Sequence, residues 1–255
     1  MGDELGNRMK KLEMHSDTYL MPEVYFAIRI DGRSFSNFTE RKRYEHPYDP
    51  EFKRIMVAVA EGLTKEFNAK LAYTQSDEIS FIFQKECDLF NRRLEKIIST
   101  TASYASCKFS QESKLTDDIV MFDARAIILP SEEHVTDYLL WRNIDAVRNA
   151  LNSWSYWILR KNGMGKEEAT SELKNKGKQY KNDLLIANNI NFNNISAWQK
   201  KGILLSWETY SKEGTDPRTG EQKTAKRRRV KINEELPMGE EFRLYIESLL
   251  NQKFK

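Results

Sequence analysis

The order of apolar runs in the first half of the chain constrains its fold more than any other feature. Val24 to Ile30 (VYFAIRI) is a short aromatic and β-branched run ending at Asp31-Gly32, which reads as a strand and its exit turn. Pro50 to Asn68 carries apolar residues at Phe52, Ile55, Met56, Val59, Leu63 and Phe67, which is helical spacing with a proline placed to start it. Leu71 to Tyr73 and Ile79 to Phe83 are two β-type runs around Thr74-Gln75-Ser76-Asp77-Glu78, a hairpin by length and turn chemistry. Leu89 to Phe109 is helical again, and Val120 to Leu129, interrupted by Asp123-Ala124-Arg125, returns to strand. Strand, helix, hairpin, helix, strand is the split βαβ order of ferredoxin-like domains, so the predicted class is α+β, an antiparallel sheet covered on one face by helices.

The remainder changes character. Met1 to Met21 reads as a polar helix ending before Pro22, and Val135 to Arg160 as a long amphipathic helix containing Trp141, Trp154 and Trp157. Lys166 to Leu173 and Tyr180 to Ala187 read as shorter helices. A late hairpin is predicted from Trp207–Tyr210 and Arg229–Ile232, around a turn-rich tip at Gly214 to Gly220. No internal repeat and no low-complexity linker divides the chain. The expected organisation is a catalytic region over 1–130 and a helical and hairpin extension over 131–255, packed on it across a soft boundary.

With 255 residues, 40% hydrophobic, the chain can bury a sizeable core. No apolar stretch approaches the roughly 18 residues of a membrane span, and the charged N-terminus lacks the apolar core of a secretory signal. Met-Gly opens the chain without the serine or threonine that accompanies myristoylation. Cys87 and Cys107 form neither a disulfide framework nor a CxxC pair, and read as reduced residues of a cytoplasmic protein.

Two carboxylate positions stand out. Asp31 ends an apolar strand, and Gly32 lets the backbone approach closely, so its carbonyl is available as an oxygen ligand. Asp77 sits in the hairpin turn. If the first strand lies beside that hairpin, the two carboxylates converge at one sheet edge, the oxygen donor set of Mg²⁺. Two such ions roughly 3.5–4 Å apart activate an attacking hydroxyl and stabilise a leaving pyrophosphate. Asp-Gly and Ser-Asp-Glu are also common turn sequences, and either alone reads as a turn; the pair, each abutting a hydrophobic strand, makes metal chemistry an equal reading. Arg29, Arg33, Arg92, Arg93 and Lys96 are cationic candidates for a triphosphate, the last two sharing a helix face. A solvated helix face is the alternative for these. Between Gln199 and Lys231 ten Lys/Arg face four Asp/Glu, densest at Lys226-Arg227-Arg228-Arg229. This is either a solvated loop or a strip for nucleic-acid phosphates, which clustered cations bind by displacing counterions. No Walker A loop, GxGxxG, GxSxG or HExxH is present.

These residues resemble the tRNA-histidine guanylyltransferase family, including its bacterial and archaeal guanylyltransferase-like members. The matching pieces are Arg29-Ile-Asp-Gly-Arg33 with Phe35 and Phe38, Gln75-Ser-Asp-Glu-Ile-Ser-Phe81, and Arg92-Arg93 with Lys96. Phe122-Asp-Ala-Arg125, Asp137-Tyr138 with Trp141-Arg142 and Asp145, Lys181-Asn182, Asn191-Phe-Asn-Asn194 and Lys201-Gly202 complete the set. The resemblance runs from about residue 5 to 210. It implies a polymerase-like palm that extends RNA in the 3′-to-5′ direction, the 3′-hydroxyl of an incoming nucleotide, typically GTP, attacking a 5′ end that is ATP-activated or triphosphorylated. By it Asp31 and Asp77, with the Gly32 carbonyl, hold two Mg²⁺ ions, and Glu78 shares the catalytic motif. Arg29, Arg33, Asp49 and Ser76 lie near the nucleotide, and Arg93 and Lys96 meet phosphates. Arg148, Asn149, Lys181, Asn182, Lys200 and Lys201 join the basic strip in binding tRNA. The family commonly forms tetramers.

The chain departs from the family pattern at three places. His46-Pro47 stands where a Lys-Pro pair is usual, leaving the triphosphate contact of position 46 to a histidine. An FDGR-type motif reads Phe122-Asp-Ala-Arg125. Val147-Arg148-Asn149-Ala150 stands where eukaryotic enzymes carry His-x-Asn-Asn, which resembles the guanylyltransferase-like branch and implies templated repair of 5′-truncated tRNA more than addition of one untemplated G to tRNA-histidine. Two other classes remain in view: a nucleotidyl cyclase, which shares a palm-type site but needs no basic strip, and a non-catalytic tRNA-binding protein, which does not need the carboxylate pair.

Overall fold

The computed structural model describes residues 2–14, 17–215 and 222–252. His15 and most of the turn-rich tip lie outside the described residues. The apolar run that ends at Asp31 forms Tyr25–Gly32 (β1), whose even-numbered side chains Phe26, Ile28 and Ile30 are fully buried in one core. The hairpin strands Leu71–Gln75 (β2) and Glu78–Phe83 (β3) lie on one side of β1, and Phe122–Leu129 (β4) lies on the other. Two later strands, Ile203–Thr215 (β5) and Gln222–Asn233 (β6), extend the sheet to six strands in the order β4-β1-β3-β2-β5-β6, every pair antiparallel.

Nine α-helices occur among the described residues: Gly2–Glu13 (α1), Phe35–Arg41 (α2), Pro50–Glu66 (α3), Leu94–Ser113 (α4), Glu132–Lys161 (α5), Lys166–Leu173 (α6), Lys178–Ala187 (α7), Ala197–Lys201 (α8) and Gly239–Leu250 (α9). Residues of α2, α3 and α4 share one core with Phe26, Ile28, Ile30, Phe81 and Phe83; Phe35 sits at its centre, with ring centroids 4.9–5.9 Å from Phe38, Phe52, Phe109 and Phe122. That ring explains Gly32: a Cβ there would lie 2.3 Å from a Phe35 ring carbon. The other face of the sheet is also covered. Tyr138 and Leu139 of α5 and Phe242 and Ile246 of α9 pack over Ala27, Leu71, Ile82 and Leu204. The sheet predicted to be covered on one face is therefore covered on both, because α9, a helix not among those predicted although Phe242, Ile246, Leu249 and Leu250 recur at helical spacing, supplies the second layer with α5.

Several boundaries also differ. The helix predicted over Met1 to Met21 ends at Glu13, and Tyr19 instead bridges Arg93 while the Leu20 N–H donates to the Arg92 carbonyl. The helix predicted from Leu89 begins at Leu94, after a turn in which Phe90, Asn91 and Arg92 all have φ near +55°. The late hairpin is longer than predicted. Only Ile203–Ser206 pair with β2, and the ribbon beyond them runs on past the sheet body. Its outer residues are mostly exposed, so it lacks the alternating apolar pattern by which a half-buried strand is recognised.

Candidate active site

Strand register builds the site. Asp31 pairs with Glu78 on β3 and with Asp123 on β4, so three carboxylates cross three neighbouring strands at one sheet end. The two-residue turn Ser76-Asp77, with Ser76 in the left-handed region at φ 54°, brings Asp77 to the same end. Burial, then the nearby Asp31 carboxylate, push the Asp77 carboxyl up to about 6 against the opposing hydrogen bonds of its own backbone and of Ser76. A buried carboxylate whose charge is disfavoured by burial and by a second carboxylate nearby, with only oxygen donors, fits a hard divalent cation. Among the described residues no cluster of three or more His, Cys, Asp or Glu forms a metal site. A cation here would complete its shell from substrate and water, which is the usual arrangement for Mg²⁺.

Glu78 is engaged elsewhere. Arg142 of α5 donates to both its carboxylate oxygens, at 2.8 Å each, and Arg29 approaches to 3.9 Å. Burial raises the Glu78 carboxyl, and the two guanidiniums oppose that rise. Arg142 is itself held by Asp145 at 3.2 Å and lies 4.6 Å from the ring centre of the exposed Trp141, and Arg29 lies 5.8 Å from the same ring. Glu78, expected to share in catalysis, thus joins β3 to α5 as half of a bidentate ion pair. The predictive signal for Arg142 was its place beside Trp141 in a long helix, three residues before Asp145.

Beside Asp77 a cavity is lined by His46, Asp49, Gln75, Ser76, Trp157 and Trp198. The His46 ring stacks on Trp157 at 3.8 Å and 5°, with Nε2 buried and unpartnered. Burial lowers its pKa against the opposing pull of Glu40 and Asp49, which favours the uncharged ring where a lysine would bring a fixed positive charge. Asp49 caps α3, accepting from the Glu51 N–H at 2.7 Å, the Phe52 N–H at 2.9 Å and the Glu45 N–H at 2.8 Å. Gln75 donates to the Gln199 carbonyl at 2.9 Å.

The other predicted residues scatter. Arg33 is exposed, its backbone N–H bonded to the Met121 carbonyl. Arg92 is buried, its guanidinium reaching the carbonyls of Met21, Val24, Lys85 and Cys87. It belongs to the far end of the sheet, one strand length (about 20 Å) from Asp31. Arg93 and Lys96 lie there too, Arg93 paired with Asp17 at 3.2 Å and Lys96 exposed on α4. Within one chain the structure does not bring them to the carboxylates, and the helix they were expected to share starts one residue after Arg93. Arg148 and Asn149 are exposed and both bond Asp145. Lys181 donates to Asn152 at 2.6 Å and Asn182 to the Lys178 carbonyl. Lys200 holds the Phe192 and Asn193 carbonyls and Lys201 the Leu236 carbonyl, so both ammoniums staple the fold. Lys226, Arg227, Arg228 and Arg229 are exposed on β6, with Arg228 stacked on Trp207 and Arg229 on Tyr210.

Residues 6–130 match the family described as tRNAHis guanylyltransferase, and residues 133–241 match the Thg1 C terminal domain. A tRNA(His) guanylyltransferase of Debaryomyces hansenii is 33% identical over 233 residues, covering 87% of this chain and 88% of the relative. A probable tRNA(His) guanylyltransferase of Dictyostelium discoideum is 36% identical over 220 residues, covering 82% and 84%. Among solved structures, a bacterial tRNA(His) guanylyltransferase (Thg1)-like protein in complex with ATP superposes with a TM-score of 0.75 at 28% identity, over 97% of this chain and all of the other. The same kind of protein in complex with GTP gives 0.73 at 27% identity over 98% and 100%. The tRNA(His) guanylyltransferase from Saccharomyces cerevisiae gives 0.67 at 28% identity over 74% and 87%. With both family segments matched in order along nearly the whole chain, this protein belongs to the tRNA(His) guanylyltransferase family.

Proposed function

We propose that this protein adds nucleotides in the 3′-to-5′ direction to the 5′ end of tRNA and that its task is template-dependent repair of 5′-truncated tRNA. The observation that carries the reading is the convergence of Asp31 and Asp77 at one sheet end, beside an aromatic cavity. Asp31, Asp77 and the Gly32 carbonyl would hold two Mg²⁺ ions. When bound, such ions activate the attacking hydroxyl and neutralise the leaving pyrophosphate. The chain's own part is to position: Asp77 orients its carboxylate from a tight turn, and His46 and Trp157 form an aromatic wall for the nucleotide. The Arg142–Glu78 pair holds the end of β3 rigid beside Asp77. GTP and ATP are the proposed nucleotides, as in the complexes of the bacterial relatives. The 3′-hydroxyl of the incoming nucleotide attacks the activated 5′ phosphorus, its proton leaves, and pyrophosphate or AMP departs. The reading carries with it a homotetramer in the cytoplasm, and light scattering on the purified protein checks the assembly.

Repair is supported by Val147-Arg148-Asn149-Ala150 in place of the eukaryotic stretch and by the higher TM-scores of the bacterial Thg1-like structures. A second reading, untemplated addition of G to tRNA-histidine, is favoured by the names of the relatives at 33% and 36% identity. Labelled nucleotides with tRNAs lacking their first residue, with and without Mg²⁺, separate the two. Repair expects the base that pairs with position 72 of the tRNA to be restored in several tRNAs, whatever the anticodon. Faster addition of G to intact tRNA-histidine, or loss of addition on changing the anticodon, sinks the repair reading. Cyclic product from ATP or GTP alone would instead mark a cyclase.

A further inference from the structure

The aromatic cavity beside Asp77 does not end at Trp157. Ser36, Ser153 and Trp157 line it, and the same three residues line an open groove that continues from it. The cavity is small, about 170 Å³, whereas the groove holds about 640 Å³. Its walls are α2, α5, α6, α7 and the loop joining α6 to α7.

Three lysines line this groove: Lys166 on α6, Lys174 just beyond it and Lys181 on α7. The groove's carboxylate is Glu40, paired with Lys166. Two positive charges are left in excess. The Lys181 ammonium is aimed by Asn152, which accepts from it at 2.6 Å and leaves its other N–H groups for a ligand. Asn37 adds an amide, and Tyr156 joins Trp157 in giving the wall an aromatic part. A solvated helix face would also carry lysines, and nearby Lys176 behaves as one, tied locally to Glu172 and to the Tyr180 ring. The groove lysines differ in that they line one concavity that opens into the site. Cations, amides and aromatics along a groove are the composition that follows a nucleic-acid strand. Lysines spread over two helices and their connecting loop suit a string of phosphates better than one compact polyphosphate.

We propose that this groove carries the sugar-phosphate backbone of the RNA strand whose end lies in the active site, with Lys166, Lys174 and Lys181 on its phosphates. The inference rests on the reading of this protein as an enzyme acting on tRNA and adds the path of the strand. It is tested by measuring tRNA affinity of the full-length protein without Mg²⁺ between about 50 and 200 mM salt, alongside its affinity for GTP alone. The triple variant Lys166→Gln, Lys174→Gln, Lys181→Gln should bind tRNA at least tenfold more weakly at the low-salt end. Its log–log salt slope should be shallower by roughly 0.7–0.9 for each phosphate no longer neutralised, about 2 in all. GTP affinity should stay within twofold. Lys174→Gln, in an exposed loop, keeps the test alive if the triple variant does not fold, and should flatten the slope by roughly 0.7–0.9 alone. A slope left unchanged while wild type binds tRNA overturns the groove and leaves the proposed function standing. So does a loss confined to GTP, which would make the groove a polyphosphate site. Failure of wild type to bind tRNA overturns both.

Discussion

Asp77 occupies a turn that buries its carboxylate beside two others, Asp31 and, more weakly, Glu78. If each carboxylate serves the same metal clamp, as proposed, replacing either aspartate with alanine should reduce nucleotide addition by several orders of magnitude. tRNA affinity should change little. A mutant retaining more than about a tenth of wild-type rate in saturating Mg²⁺ would remove that carboxylate from the mechanism. The same pair makes a stability prediction for metal-free protein. Asp77 titrates near 6 folded and near 3.8 unfolded, so its protonated form favours the fold. Its contribution is fully present below about pH 4 and is lost as pH rises through about 6, a cost of up to about 3 kcal/mol. Thermal unfolding of wild type and Asp77→Asn should therefore diverge between pH 4 and 7, with the variant more stable at the upper end. Mg²⁺ should raise the melting temperature of wild type and not of Asp77→Asn. Parallel melting curves across that range would show that the two carboxylates do not interact as described.

Among elements, α5 and β3 are joined by the Arg142–Glu78 pair, each side chain under one-fifth exposed. Removing one partner of a largely buried pair strands the other charge. Arg142→Ala should cost about 3 kcal/mol in denaturant unfolding, and adding Glu78→Gln should recover part of that loss. Strict additivity of the two changes would show that the pair contributes nothing beyond its separate side chains. This joint was not legible in sequence, where Arg142 and Glu78 lie 64 residues apart. The elements themselves were more legible. The helix over Lys166 to Leu173 matches its prediction, α5 begins three residues earlier than expected, and the hairpin around Ser76-Asp77 lies where turn chemistry put it. Capping explains the accuracy at α3, where Asp49 and Pro50 mark the start. The start of α4 differs from its prediction because Phe90, Asn91 and Arg92 have left-handed backbone, which hydropathy does not reveal.

In the whole molecule the basic strip becomes part of a ribbon. Strand alternation divides it, with Lys226 and Arg228 on the face of Val230 and Arg227 and Arg229 on the other. Arg228 stacks on Trp207 at 4.4 Å, and Arg229 stacks on Tyr210 at 5.0 Å while its guanidinium is paired with the Glu208 carboxylate at 2.5 Å, so both side chains are held in place along the ribbon. Neutralising Lys226, Arg227, Arg228 and Arg229 together should weaken tRNA binding and flatten its salt dependence by roughly 0.7–0.9 for each phosphate left without its cation. Unchanged affinity and slope would leave the ribbon as a solvated arm. Since the ribbon and the groove beside the site share no residue, their effects on the slope should add.

Local pattern alone determined the strand that delivers Asp31, the turn that delivers Asp77, the main helices and the family, because each is written in neighbouring residues. A strand ending in Asp-Gly and a hairpin tipped by Ser-Asp carry their carboxylates wherever the sheet places them. Tertiary structure decided which partners those residues met. It set β1 beside β3, so that Asp31 and Asp77 come to the same sheet end; it turned Glu78 towards Arg142; it buried His46 against Trp157, which favours the uncharged ring; and it carried Arg93 and Lys96 to the opposite end of the sheet. Those outcomes depend on strand register and on which helix covers which face. Both are settled by burial of apolar surface between segments far apart in the chain, which local spacing does not record.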